Sequence, residues 1–192
     1  MKIIFKTIAI LAGYGIFMVG YPGYGGSEGS PSETGLLEAA SLAYNHLQTL
    51  GVPADKLVIL GESLGSSVAI QLAANRAAHA VVLLAPMHSI REIAQAQFPF
   101  LPMTLLLKDP FLTYEHITSA QQPLLVFHGT NDQLIPINSG ERLFELAAEP
   151  KQFNAVKGAG HNNLFDYGVV ESMGKFLDTL TSLPPVPRRT LE

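Results

Sequence analysis

Apolar and polar residues alternate in blocks along this chain. Apolar runs of strand length lie at residues 16–19, 57–60, 80–85, 124–127 and 153–156. Between them the pattern turns helical. Ser30-Pro31-Ser32-Glu33 reads as a capping box with proline at the first helical position. The helix it opens carries an apolar stripe of Leu36, Ala40, Ala43, Leu47 and Leu50, and Gly51 and Pro53 end it. Further helices are predicted over 66–76, over 141–148 with Asn138-Ser139 as cap, and over 168–180. Strands alternating with helices predict an α/β fold, a mostly parallel sheet with helices on both faces. The alternation breaks between Pro86 and Pro123, where Phe98-Pro99-Phe100-Leu101-Pro102-Met103-Thr104-Leu105-Leu106-Leu107 is apolar and punctuated by proline. The expected organisation is one domain over 1–182, with 87–122 as a lid-like insertion or a plain packing insert, and a disordered proline-rich tail at 183–192.

The strand at 57–60 runs into Gly61-Glu62-Ser63-Leu64-Gly65 and then into a helix. Strand, G-x-S-x-G and helix together are the context of a nucleophile elbow, with Ser63 at the tip of a sharp turn. The amide of Leu64, the residue after the serine, then faces a developing oxyanion. Asp132 follows the apolar run 124–127 in His128-Gly129-Thr130-Asn131-Asp132, just past a strand's carboxyl end, where α/β proteins gather ligand groups. The alternative is an Asx-turn aspartate bonding its own backbone, and the two roles are compatible. His161 follows the run 153–156 in Gly158-Ala159-Gly160-His161-Asn162-Asn163, whose glycines let the loop turn back and present an imidazole. His46 and His79 fall on helical or helix-end patterns, His88 and His116 flank the insertion, and His128 reads as a residue shaping the Asp132 turn. The candidate catalytic set is therefore Ser63 as nucleophile, His161 as base and Asp132 as the acid that fixes the imidazole.

Composition narrows the alternatives. Apolar residues make up 47% and charged residues 15%, and the net charge is −4 with no Lys/Arg run, so nucleic acid is not an expected partner. The absence of cysteine removes disulfides, thiol catalysis and cysteine-based zinc sites. There is no H-E-x-x-H, P-loop or dinucleotide fingerprint, and the triad chemistry needs no cofactor or metal. Met1-Lys2-Ile3-Ile4-Phe5-Lys6 resembles the charged start of a signal or anchor, and the uncharged run 7–24 raises the question of a membrane span. Glycines and Pro22 interrupt that run, which favours a strand at 16–19 leading into the Tyr-Pro-Gly-Tyr-Gly turn. A cytoplasmic protein is expected, with anchoring or membrane contact through the N-terminal segment as the alternative.

With these motifs placed, the chain resembles the α/β-hydrolases and is similar to their Bem46/ABHD13/ABHD17-like group of serine hydrolases. The resemblance runs from about residue 14 to 180. It rests on Gly20-Tyr21-Pro22-Gly23-Tyr24-Gly25-Gly26-Ser27-Glu28-Gly29, on the elbow, on His128-Gly129-Thr130-Asn131-Asp132 and on Gly158-Ala159-Gly160-His161-Asn162. It implies hydrolysis of a small-molecule or lipid-like carboxylic ester or thioester. In such hydrolases a His-Gly-type loop upstream supplies a second oxyanion donor, and a strand lies between the equivalents of 16–19 and 57–60. No such motif precedes Tyr14, so the expectation is an N-terminally shortened or internally deleted relative. Residues 16–19 would then pair directly with the elbow strand, or 3–10 would fill the gap. The rival functional expectations are a catalytically impaired relic or binding protein, and a peptidase or transferase using the same three residues.

Overall fold

The computed structural model of the chain describes residues 5–11 and 14–181. It begins with β1 (Phe5–Leu11) and β2 (Tyr14–Val19), an antiparallel pair with Phe5 opposite Val19 and Leu11 opposite Tyr14. Then come α1 (Glu33–Thr49), β3 (Val58–Glu62), α2 (Leu64–Asn75) and β4 (Ala80–Leu84). After β4 the chain forms α3 (Ile90–Gln97), α4 (Met103–Leu106) and α5 (Thr113–His116). It closes with β5 (Leu124–Gly129), α6 (Ile137–Leu146), β6 (Lys151–Val156) and α7 (Val169–Thr181). Strands β3, β4, β5 and β6 form one parallel sheet in that order.

The period-two alternation of the strands sorts their side chains onto two faces. Ile59, Val81, Leu83, Leu124 and Val126 pack with α1 and α2, joined by Leu143 of α6. Ala80, Val82, Leu84, Leu125 and Phe127 pack instead with Met173, Phe176, Leu177 and Leu180 of α7. Each of the larger side chains contributes about 1.5–3 kcal/mol by leaving water, set against the conformational entropy lost on ordering it. The mostly parallel sheet with helices on both faces is thus the architecture the hydrophobic pattern predicted.

Three expectations are corrected. First, residues 16–19 do not join the parallel sheet: β2 pairs with β1, and neither strand bonds to β3. Only two residues separate β1 from β2, so the antiparallel pair closes at little entropic cost. Strand β3 is left as the sheet's edge, and a cavity of about 110 Å³ lies beside it, lined in part by Phe17, Tyr21, Tyr44, Leu60 and Gly65. Second, α1 is capped by Ser32, not Ser30. Ser32 is extended and accepts from the Gly35 amide at 3.1 Å. Glu33, freed from a capping box, instead accepts from Gln71 at 2.7 Å and from the Phe111 amide at 3.0 Å. Ala39 and Tyr44 belong to the buried stripe, and Leu50 is exposed. Third, α6 starts at Ile137 and gains no side-chain cap, because Ser139 Oγ accepts the His88 amide at 2.9 Å.

The segment between β4 and β5 is tied down at its returning end. The Glu33 bond to Phe111 does part of this, as does Asp109 accepting from the Glu33 amide at 2.8 Å. The Ser67 and Thr113 hydroxyls also bond each other, and Phe111 and Ile117 enter the core beside α2. No helix among the described residues is long and apolar enough to cross a membrane. The expected tail at 183–192, and residues 1–4 of the N-terminal anchor weighed as the alternative, lie outside the described residues.

Candidate active site

In a parallel sheet every carboxyl end lies at one edge. Glu62 pairs with Leu84, Leu84 with Phe127, and Gly129 with Val156, so the loops after β3, β5 and β6 emerge side by side. Those loops carry Ser63, Asp132 and His161.

Ser63 has φ 52° and ψ −120°, a conformation that side chains with a Cβ rarely adopt and that the surroundings must hold in place. Its amide donates to Leu84 O at 2.9 Å, and its carbonyl accepts from the Ser66 amide at 3.0 Å and from the Ser66 hydroxyl. The turn also requires strand and helix to touch. A Cβ on Gly61 would lie 2.4 Å from Gly65 O and 2.7 Å from Ala69 Cβ. Gly61→Ala is therefore expected to cost about 3 kcal/mol, read as a lowered urea midpoint, because neither the helix backbone nor Ala69 can swing aside.

Asp132 sits in a turn that its own side chain closes. Oδ1 accepts from the amides of Leu134 at 2.9 Å and Ile135 at 2.8 Å. Oδ2 lies 2.8 Å from His161 Nδ1. The Asx-turn bonds and the imidazole bond thus coexist on the two oxygens of one fully buried carboxylate. His161 Nε2 is 2.9 Å from Ser63 Oγ. The three side chains named from the sequence therefore form one hydrogen-bonded line. Leu64 is the first residue of α2, so its amide belongs to the unpaired, partly positive end of that helix.

The histidine loop is held against the aspartate loop. Asn131 N donates to Ala159 O at 2.9 Å and Gly158 N to Thr130 Oγ1 at 2.9 Å, while Gly160 N donates to Asn163 Oδ1 at 2.8 Å within the histidine loop itself. Gly129 makes room for this, since a Cβ there would stand 2.4 Å from Ala159 O. Asp109, another aspartate of the chain, is committed elsewhere, to the α1 amide already described.

Two residues beside the site carry more than the motifs signalled. His128 is fully buried, with Nε2 2.8 Å from Ile135 O and 3.5 Å from Asp132 Oδ2. A ring that donates from Nε2 to that carbonyl leaves Nδ1 as an acceptor, and Nδ1 is buried against Gly140 without a partner. Burial holds the His128 pKa below its ordinary value of 6.5, outweighing the pull of the Ile135 carbonyl and Asp132. As pH falls below that ordinary value, the unfolded chain takes up a proton that folded His128 resists. Its contribution is thus present above the ordinary range and is lost on acidification towards the depressed value. His128→Gln should make the loss of stability between pH 7 and pH 5 shallower in denaturant titrations. It should not abolish it, because burial also lowers the pKa of His88. The second residue is Tyr21, on the loop after β2. Its hydroxyl lies 3.9 Å from the position of a Cβ on Gly65, and burial raises its pKa. The Tyr-Pro-Gly-Tyr-Gly motif marks the loop but not this contact with the elbow helix.

No group of three or more His, Asp or Glu side chains among the described residues is arranged to hold a metal ion.

A parallel sheet, a strained serine between β3 and α2, and an aspartate and a histidine on later loops define the class. A family model described as an alpha/beta hydrolase domain matches residues 25–164, and the chain belongs to that family. The chain is 40% identical over 152 residues to an uncharacterized protein of Mycobacterium tuberculosis, covering 79% of this chain and 54% of that protein. It is 34% identical over 166 residues to alpha/beta hydrolase domain-containing protein 17B of Homo sapiens, covering 86% of this chain and 54% of that protein. This agrees with the resemblance read from the motifs. The chain spans about half the length of these curated relatives. Among solved structures, a monoacylglycerol lipase of Paleococcus ferrophilus superposes with a TM-score of 0.65 at 21% identity, covering 88% of this chain and 85% of that one. An esterase domain from a Rhodothermus marinus protein gives 0.63 at 23%, covering 86% and 73%. These two establish the shared fold.

Proposed function

We propose that this chain is a serine hydrolase that cleaves carboxylic ester or thioester bonds through an acyl-enzyme. The observation that carries the reading is the unbroken line Ser63 Oγ, His161 Nε2, His161 Nδ1, Asp132 Oδ2, at 2.9 and 2.8 Å. Ser63 Oγ attacks the carbonyl carbon as its proton passes to His161 Nε2. Asp132, accepting from Nδ1–H, keeps the tautomer in which Nε2 is free to take that proton, and it stabilises the imidazolium. The carbonyl oxygen gains negative charge in front of the Leu64 amide. The C–O or C–S bond then breaks, and the leaving group departs with the proton from Nε2. Water repeats the sequence on the acyl-enzyme and releases the acid.

The direct test is pre-steady-state hydrolysis of p-nitrophenyl acyl esters. The expected result is a burst of nitrophenol stoichiometric with enzyme, followed by slower steady turnover. A folded protein with neither burst nor turnover contradicts it.

One observation favours a second reading, a catalytically impaired hydrolase. Among the described residues no strand pairs with the free edge of β3, the side from which a second oxyanion donor is expected. Losing one such donor typically costs about 10²–10³ in turnover. This reading expects ester turnover lowered by about that factor, and a kcat in the ordinary enzymatic range of about 1–10³ s⁻¹ disposes of it.

A further inference from the structure

Asp132 is placed by bonds that run through Ile135. Residues 130–136 form neither helix nor strand, so side chains and single backbone bonds fix the turn. Upstream, the Thr130 amide donates to Val156 O at 3.1 Å and the Asn131 amide to Ala159 O at 2.9 Å. Downstream, Ile135 is held at both of its backbone groups. Its amide donates to Asp132 Oδ1 at 2.8 Å, and its carbonyl accepts from His128 Nε2 at 2.8 Å. The path is closed: the His128 ring on β5 holds Ile135, and Ile135 holds the carboxylate.

His128 also stands beside the carboxylate itself. Its Nε2 lies 3.5 Å from Asp132 Oδ2, the oxygen that meets His161 Nδ1. Nε2 carries a proton, because the Ile135 carbonyl can only accept. A partly positive N–H thus adjoins a buried carboxylate whose other donors are the Leu134 and Ile135 amides and His161. Nδ1, by contrast, is buried against Gly140 of α6 with no hydrogen-bond partner among the described residues. A buried polar atom without a partner costs stability. An apolar side chain would avoid that cost, so what the fold gains from an imidazole here lies at Nε2.

Resting on the hydrolase reading above, we propose that His128 is a positioning residue of the reaction: through Ile135, and through its N–H beside Oδ2, it aims the Asp132 carboxylate at His161 Nδ1. Fully buried within the fold, it acts on the reaction only through Asp132. The Asp132–His161 bond sets the tautomer that leaves Nε2 of His161 free for the serine proton. A carboxylate displaced by about 1 Å loses the alignment of that bond, and a misplacement of this size costs on the order of 10²-fold in rate. The loss falls on kcat, because the geometry affected is that of the base and not of substrate binding. A residue that only fills the turn would lower stability and leave the Asp132–His161 pair as it is.

The experiment compares His128→Leu, similar in size but without a donor, with His128→Gln, whose NH₂ group can donate to the Ile135 carbonyl. On p-nitrophenyl esters the leucine variant is expected to lose about 10–10² in kcat with KM within about twofold, and the glutamine variant to recover most of that loss. Gly140→Ala is the third variant. It keeps the imidazole, but a Cβ there overlaps Nδ1 and pushes the ring off its seat, so kcat should fall here too. The same changes made on Ser63→Ala protein give a readout without turnover, the low-field proton resonance of His161 Nδ1–H against a carboxylate. It should persist with glutamine, and shift upfield or vanish with leucine and with Gly140→Ala. A parent protein without ester turnover contradicts the hydrolase reading, and the resonance then decides on His128 alone. Two results overturn the proposal. One is a wild-type kcat or an unmoved resonance in the folded leucine variant or, where that variant does not fold, in Gly140→Ala. The other is an equal loss with leucine and with glutamine.

Discussion

Ser63→Ala is expected to lower ester turnover by about 10⁶-fold, to the level that binding and the remaining oxyanion contacts sustain. In the proposed mechanism the hydroxyl 2.9 Å from His161 Nε2 is the atom that forms the acyl bond, and alanine leaves the base with nothing to deprotonate. The protein should remain folded. The Ser63 contacts that hold the elbow are made by its backbone, the amide to Leu84 and the carbonyl to Ser66, and alanine preserves both. Turnover and thermal unfolding measured on the same preparation separate the two effects. A small loss of activity in a folded variant would mean that another nucleophile is at work.

Asp132→Asn is expected to cost about 10⁴ in kcat with little loss of stability. The asparagine carbonyl can keep the two amide bonds now made by Oδ1, from Leu134 and Ile135, so the turn survives. Its NH₂ group then faces His161 Nδ1 across 2.8 Å and forces that nitrogen to accept. The proton of a neutral imidazole moves to Nε2, which can no longer take one from Ser63. Asp132→Ala should differ in kind, since it removes the acceptor for two amides and destabilises the loop as well as slowing the reaction. A kcat for Asp132→Asn within tenfold of wild type would remove the carboxylate from the mechanism.

The parts of this molecule that the sequence made legible are those governed by local rules. Apolar runs of strand length, stopped by Gly or Pro, located β3 to β6. Gly-x-Ser-x-Gly between an apolar run and a helical pattern placed Ser63 at a strand–helix junction, because few other residue patterns tolerate a backbone contact as close as that of Gly61 with Gly65. The less legible parts depend on competition between distant groups. Ser30 and Ser32 both suit a helix cap. What decides for Ser32 is the demand on Glu33 from Gln71 and Phe111, residues 38 and 78 positions away. Asn138-Ser139 looks like a cap until the His88 amide, 51 residues earlier, takes the Ser139 hydroxyl. The partner of residues 16–19 could not be read from their own composition, since an apolar strand suits either an antiparallel hairpin or a parallel edge. His128 was legible as a residue shaping the turn, but its unpartnered Nδ1 depends on how closely Gly140 packs.

Covalent capture asks directly whether Ser63 is an activated nucleophile. Wild-type protein treated with a fluorophosphonate and analysed by intact mass and peptide mapping should carry a single adduct on Ser63, with none on Ser63→Ala. A folded wild-type protein that stays unmodified, or is modified at another residue, would contradict the account.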